Sequence, residues 1–250
     1  MKTQIAVTDL TRMQHGHVCI AGYTTERKCV RLIQVPGISE TSIIANHQAV
    51  VYPFAVVECD LLAHIPEPPH TEDHLYDPAS LRYLRPVLES RRKTVLCWSM
   101  CARITDVFDQ PVMHDSGYYV LEGQGTRSLG TIQPLAIRQV EYKAGPEGAW
   151  DYRLAFKDAS GWYNLKITDL TWHYYCDSLR SQGKEPEQIA IELTAMLKQR
   201  EVYLRIGLSR HWKKFPGRCY LQLNAIHTIP DYLEGKTFVD LLTTSRRVSS

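Results

Sequence analysis

The chain lacks net charge: 29 Lys and Arg stand against 27 Asp and Glu, leaving +2 over 250 residues. A chain this near neutrality has no global field to mark it as a nucleic-acid binder, so any such role must come from charge segregated locally. Long apolar runs are missing too. No segment approaches the length of a membrane span, and the opening MKTQIAVTDLTRM lacks the apolar core of a signal peptide. A cytoplasmic protein with no membrane partner is expected. The cysteines (Cys19, Cys29, Cys59, Cys97, Cys101, Cys176 and Cys219) are odd in number, scattered, and mostly within apolar strand patterns. They read as reduced, small hydrophobes.

Catalytic and metal signatures are also scarce. Ser209 lies in Gly-Leu-Ser-Arg, not in the Gly-x-Ser-x-Gly elbow, and Gly123-Gln124-Gly125 lacks the Lys-Ser/Thr ending of a phosphate loop. Three groups have metal-ligating types: His15, His17 and Cys19; Cys97 and Cys101; His70 and His74. None supplies a four-ligand set, so no metal and no cofactor is expected.

What the chain does have is charge sorted along its length. Glu58 to Asp77 collects carboxylates without a Lys or Arg, whereas Arg82 to Lys93 carries cations against Glu89 alone. The stretch RIGLSRHWKKFPGRCY, Arg205 to Tyr220, holds Arg205, Arg210, Lys213, Lys214 and Arg218 with no acid, and interleaves Trp212, Phe215 and Tyr220. Cations attract phosphates and release their counterions, while aromatic faces stack on unpaired bases. A solvated loop whose aromatics cap the core would show the same composition.

Strand patterns dominate. Gln4–Leu10, Val18–Tyr23 and Cys29–Gln34 make a three-stranded meander, and Val50–Ile65 a longer strand. Asp77-Pro78 starts a helix expected to run to about Met100, interrupted at Pro86, and Ala102–Phe108 is expected as a strand. Leu135–Tyr142 is followed by a hairpin, Asp151–Lys157 with Trp162–Leu170, around Asp158-Ala159-Ser160-Gly161. Pro186–Arg200 is an amphipathic helix, and Val202–Leu208 and Cys219–Thr228 are the last strands. The order β-β-β-α-β-β is that of the OB-fold. The fold class expected is mainly β: two tandem OB-like barrels, an elaborated one over 1–125 and a second over 126–250. Ile5–Thr11 and Leu165–Thr171 share the word Ile/Val-Thr-Asp-Leu, a faint echo of duplication.

The chain resembles the dual OB-containing domain proteins, a bacterial and archaeal family of anti-phage and other conflict loci. The resemblance lies in Val7-Thr8-Asp9 with Val18-Cys19-Ile20-Ala21-Gly22, in Arg153-Leu154, Phe156 and Asp158-Ala159-Ser160-Gly161, and in Ile167-Thr168-Asp169-Leu170. It closes with Leu204–Arg210 and Ile229-Pro230-Asp231-Tyr232. Leu32 after Arg31 and His211 after Arg210 stand where the family has Pro. The resemblance implies a nucleic-acid or nucleotide-binding module.

The leading expectation is therefore a non-catalytic binder of single-stranded DNA or RNA. Arg205, Arg210, Lys213 and Lys214 would contact phosphates and Trp212 would stack a base. Arg153, Lys157 and Trp162 would extend the groove, and Arg31 completes the set. Two alternatives stay open: an adaptor or nucleotide sensor serving an effector protein through its second-half aromatics, and an enzyme with Asp9, Arg31 and Asp169 converging in one pocket.

Overall fold

The computed structural model describes residues 2–145, 148–211 and 215–247. Its first half contains β1 (Lys2–Arg12), β2 (His17–Thr24) and β3 (Cys29–Ile33), then the short β4 (Ile38–Ser39), β5 (Ile44–Ala45) and β6 (Gln48–Ala49). β7 (Ala55–His64), β8 (Asp73–Tyr76), β9 (Arg82–Pro86) and helix α1 (Glu89–Cys97) follow. β1, β2 and β3 form the expected antiparallel meander. β8 joins β3 in parallel, and β7 pairs with both β8 and β1. The circuit β1-β2-β3-β8-β7-β1 is thus a closed barrel with OB strand order. Period-two alternation fills it: Ile5, Val7, Val18, Ile20, Val30, Leu32 and Val57 share one buried cluster. Gly22 is needed where β2 meets β1, because a Cβ there would sit 2.2 Å from the Ala6 carbonyl oxygen.

The helix expected from Asp77 is shorter and later. Asp77 caps only a 3-10 turn, accepting from the Ala79 N–H, and the chain then runs as β9 along β7. Pro86 disfavours helical backbone at Arg85, β9 continues to Pro86 opposite Ala55, and α1 begins only at Glu89. Ala102–Phe108 is not a strand: Ile104–Asp106 is a 3-10 turn whose Ile104 N–H is held by the Asp158 carboxylate at 2.6 Å.

The second half comprises β10 (Met100–Cys101), β11 (Met113–His114), β12 (Tyr118–Leu121), β13 (Leu129–Ile132), β14 (Ala136–Ala144), β15 (Trp150–Lys157) and β16 (Trp162–Lys166). Helices α2 (Leu170–Ser181) and α3 (Pro186–Lys198), strands β17 (Glu201–Leu208) and β18 (Arg218–Ile229), and helix α4 (Phe238–Arg247) complete it. β14, β15 and β16 make one sheet; β13, β17 and β18 belong to another. Only Gln133, Pro134 and Leu135 separate β13 from β14, so the two act as one bent first strand. The Ile167–Leu223 bridge joins the end of β16 to β18 in parallel. The OB circuit is retraced in a more open form, a half-barrel with its helices between the third and fourth strands. The protein is mainly β, built from two tandem OB-like barrels.

One helix escaped the sequence pattern. Trp172, Tyr174 and Tyr175 fit a strand by composition, but the Asp169 carboxylate accepts from the N–H groups of Thr171 and Trp172 and so caps α2. Helical spacing then buries Trp172 and Cys176 and packs Trp172 and Tyr175 against Tyr232. β10 and β12 precede residue 126, yet they pair with β13 and β18, so the second sheet recruits chain from before the expected boundary. Among the described residues no helix is long and apolar enough to cross a membrane.

Candidate functional site

An OB barrel presents ligands with the outer face of its second and third strands and the loops beside it. In the first barrel that face belongs to β2 and β3, and the second half covers it. Arg205 on β17 is fully buried: its Nε lies 3.1 and 3.0 Å from the Asp9 carboxylate oxygens and its Nη2 at 2.8 Å. Its Nη1 donates to Tyr23 Oη, Ser99 Oγ and Thr131 Oγ1 at 2.8, 2.9 and 3.0 Å. Beside it, buried Arg31 donates from Nε to Asp73 at 2.6 Å and from Nη1 to Ser128 Oγ at 3.2 Å. Glu72 accepts from the N–H and Oγ of Ser128 at 2.7 and 2.8 Å. The expectation that Arg205 and Arg31 meet phosphates is therefore corrected. Both guanidiniums are spent inside the seam between the barrels, and exposing either would strand a buried carboxylate.

The two Thr-Asp words meet at the same seam. Arg12 N–H donates to the Thr168 carbonyl at 2.7 Å, Thr11 bridges Asp169, and Asp169 accepts from Ile226 N–H at 2.9 Å. Asp169 lines a cavity of about 40 Å³ with Thr171, His227, Arg92 and Asp231, which neither Asp9 nor Arg31 reaches. The three groups of the enzymatic alternative thus do not share a pocket. Among the described residues no three or more His, Cys, Asp or Glu are grouped to hold a metal ion.

Burying titratable groups at this seam gives stability a pH dependence. Burial pushes His227 and His173 down to about 4, and burial with Arg31 and Arg210 nearby pushes His70 to about 2. Below pH 6.5 the unfolded chain binds protons that these histidines refuse, so stability is lost as pH falls toward 4. Each contributes about 1.4 kcal/mol per pH unit within that window. Burial raises Asp169 to about 7, which works in the opposite direction and offsets one histidine. Urea midpoints should therefore fall steadily from pH 6.5 to 4; a flat profile would mean these histidines protonate in place.

The equivalent face of the second barrel is open. Strand alternation turns Tyr152, Leu154, Phe156, Tyr163 and Leu165 inward. It leaves Arg153, Ala155 and Lys157 of β15 and Trp162, Asn164 and Lys166 of β16 outward. The register sets Lys157 beside Trp162, Ala155 beside Asn164, and Arg153 beside Lys166. On β14 a register shift between Ile137 and Gln139 puts Arg138 and Gln139 both at the surface. Trp162 is 47% exposed, with the Arg138 guanidinium 6.0 Å from its ring centre. Arg153 donates to Asn164 Oδ1 and to its carbonyl. A groove of about 360 Å³ runs between Tyr118, Arg138, Glu141, Trp162 and Asn164, floored by Ala155.

Arg153, Lys157 and Trp162 are thus brought together, whereas Arg210, His211 and Arg218 are paired elsewhere. Half-exposed Arg210 pairs with Glu67 at 3.4 Å and with Asp73, carboxylates of the acidic segment, and His211 pairs with Glu122. Arg218 pairs with Asp115 and lies 4.9 Å over the Tyr119 ring. Trp212, Lys213 and Lys214 lie outside the described residues. Sequence reasoning passed over Arg138, Lys166, Gln139, Glu141, Asn164 and Tyr118. Alternation about Trp162 carries Asn164 and Lys166 with it, but the bulge in β14 hides Arg138.

The family described as the Dual OB-containing domain matches residues 10–226. No curated protein matches significantly. Among solved structures, a murine DNA-binding protein bound with double-stranded DNA is similar at 11% identity, covering 91% of this chain and 96% of that one. Its TM-score of 0.30 is too low to bear on function.

Proposed function

Since the chain belongs to the dual OB-containing domain family, we propose that it binds single-stranded nucleic acid, without catalysing a reaction, on the outer face of β14, β15 and β16. One observation carries this reading. The ligand-binding face of the first barrel is buried under the second, while that of the second is open and holds an exposed Trp162 framed by Arg138, Arg153, Lys157 and Lys166. An open aromatic face accepts any base, and the surrounding cations follow the phosphates. A duplex would keep its bases stacked away from Trp162, so an unpaired strand fits this face better. Arg210 has no part in this face, since it is paired with Asp73 and Glu67 of the first barrel. Service to an effector in a prokaryotic defence locus rests on the family resemblance.

Fluorescence anisotropy with labelled single-stranded DNA and RNA across a salt series tests the reading. Micromolar or tighter binding that weakens with salt is expected. Removing Arg138 and Lys157 together should lower the slope of log K against log salt by about 1.4. A slope unchanged by those substitutions would move the phosphate path to another face.

A further inference from the structure

Resting on that proposal, we infer that the groove beside Trp162 is a pocket for one nucleobase and that it selects guanine. The walls set the fit. Trp162 is half open to solvent, and the Arg138 guanidinium faces its ring centre at 6.0 Å. A base stacked on both sides needs ~3.5 Å to each neighbour, roughly 7 Å in all. The exposed, flexible Arg138 thus has only about 1 Å to yield before a base is sandwiched between the two. Ala155 keeps the floor clear: it lies in register between Gln139 and Asn164, where a longer side chain would fill the groove. Tyr118 closes one side, donating from its hydroxyl to the Trp162 carbonyl at 3.2 Å.

The edge of the base then meets Glu141. Its Oε1 accepts from Asn164 Nδ2 at 2.9 Å and Gln139 Nε2 at 3.4 Å; its Oε2 accepts from Lys143 Nζ at 3.2 Å. Partial burial works against its ionisation, but hydrogen bonds from Asn164, Lys143 and Gln139 outweigh that and hold the carboxyl below its usual range. A permanent anion amid Arg138, Arg153 and Lys166 repels a phosphate, so its use lies with the base. Guanine presents two parallel donors, N1–H and N2–H: one meets the open lone pair of Oε2, and the other replaces the long 3.4 Å contact of Gln139 on Oε1, in the manner of an arginine fork. Adenine and cytosine offer one amino group beside an acceptor, and thymine or uracil one N–H between two carbonyls. The paired donors favour guanine, and Asn164 and Lys143 fix the carboxylate that reads them.

The test compares affinities of single strands of about 12 nucleotides in which thymidine alternates with guanosine, adenosine, cytidine or inosine, beside oligothymidine. The guanosine strand should bind wild type roughly tenfold tighter than oligothymidine, and inosine, which lacks the 2-amino group, should lose most of that gain. In Glu141→Gln the guanosine-to-thymidine ratio should collapse toward one, with the thermal midpoint confirming a folded protein. Equal binding of all strands, or a preference that survives Glu141→Gln, overturns the guanine pocket and leaves general single-strand binding standing. Failure of every strand to bind folded wild type overturns both.

Discussion

Arg205→Ala should cost about 3–5 kcal/mol of stability, the largest loss expected of any single substitution at the seam. The guanidinium is fully buried and donates to Asp9, Tyr23, Ser99 and Thr131 at once. Truncation removes a favourable pair, but the greater cost is the Asp9 carboxylate left charged in a dry interior beside Asp169. Arg205→Lys should rescue little, because a single ammonium cannot reproduce the planar fork. A double-mutant cycle separates the effects. Once Asp9→Asn has removed the orphaned charge, Arg205→Met should cost less, with a coupling energy of about 1–3 kcal/mol. Urea denaturation provides all four free energies. Strict additivity would show that the pair is incidental and that the barrels are joined by apolar contact instead.

Trp162→Ala should weaken single-strand binding by about 1–3 kcal/mol, roughly 5- to 150-fold, with little effect on folding. The energetics divide cleanly because of where the ring lies. Its 47% exposure and its place on the outward side of β16 mean that few core contacts are lost, so stability should shift by no more than about 0.5 kcal/mol. Its neighbour Tyr163 points inward, 6.0 Å from the Phe156 ring, and Tyr163→Ala would instead open a cavity. The contrast between adjacent aromatics distinguishes a binding surface from general damage. Trp162→Phe should retain part of the affinity, since a smaller ring still stacks.

Much of the scaffold is legible in the residues. Alternation within Ile5–Leu10, Val18–Tyr23, Tyr152–Phe156 and Val202–Leu208 points to strands because period two and a shared core require it. The Asp158–Gly161 turn fixes the β15–β16 register and so the placing of Lys157 against Trp162. Helix α2 was obscured because WYNLKITDLTWHYY is rich in aromatic and β-branched residues; the deciding feature is Asp169, whose capping role depends on backbone geometry. The charged residues were harder still. Arg205 sits in the same run of cations as Arg210 and looks like it, but its partner Asp9 is 196 positions away, and only the packing of the barrels brings them together. Local sequence shows that a guanidinium is present. It does not show which carboxylate claims it.

The most direct test is a parallel anisotropy titration of a labelled single strand into wild type, Trp162→Ala and Tyr83→Ala. Tyr83 is also an exposed aromatic on a basic strand, 39% accessible and stacked on Tyr52, but it belongs to the first barrel. Because the ligand face of that barrel is buried, the account predicts a loss of at least about fivefold for Trp162→Ala and wild-type affinity for Tyr83→Ala. Undiminished binding in Trp162→Ala, or a loss confined to Tyr83→Ala, would contradict it.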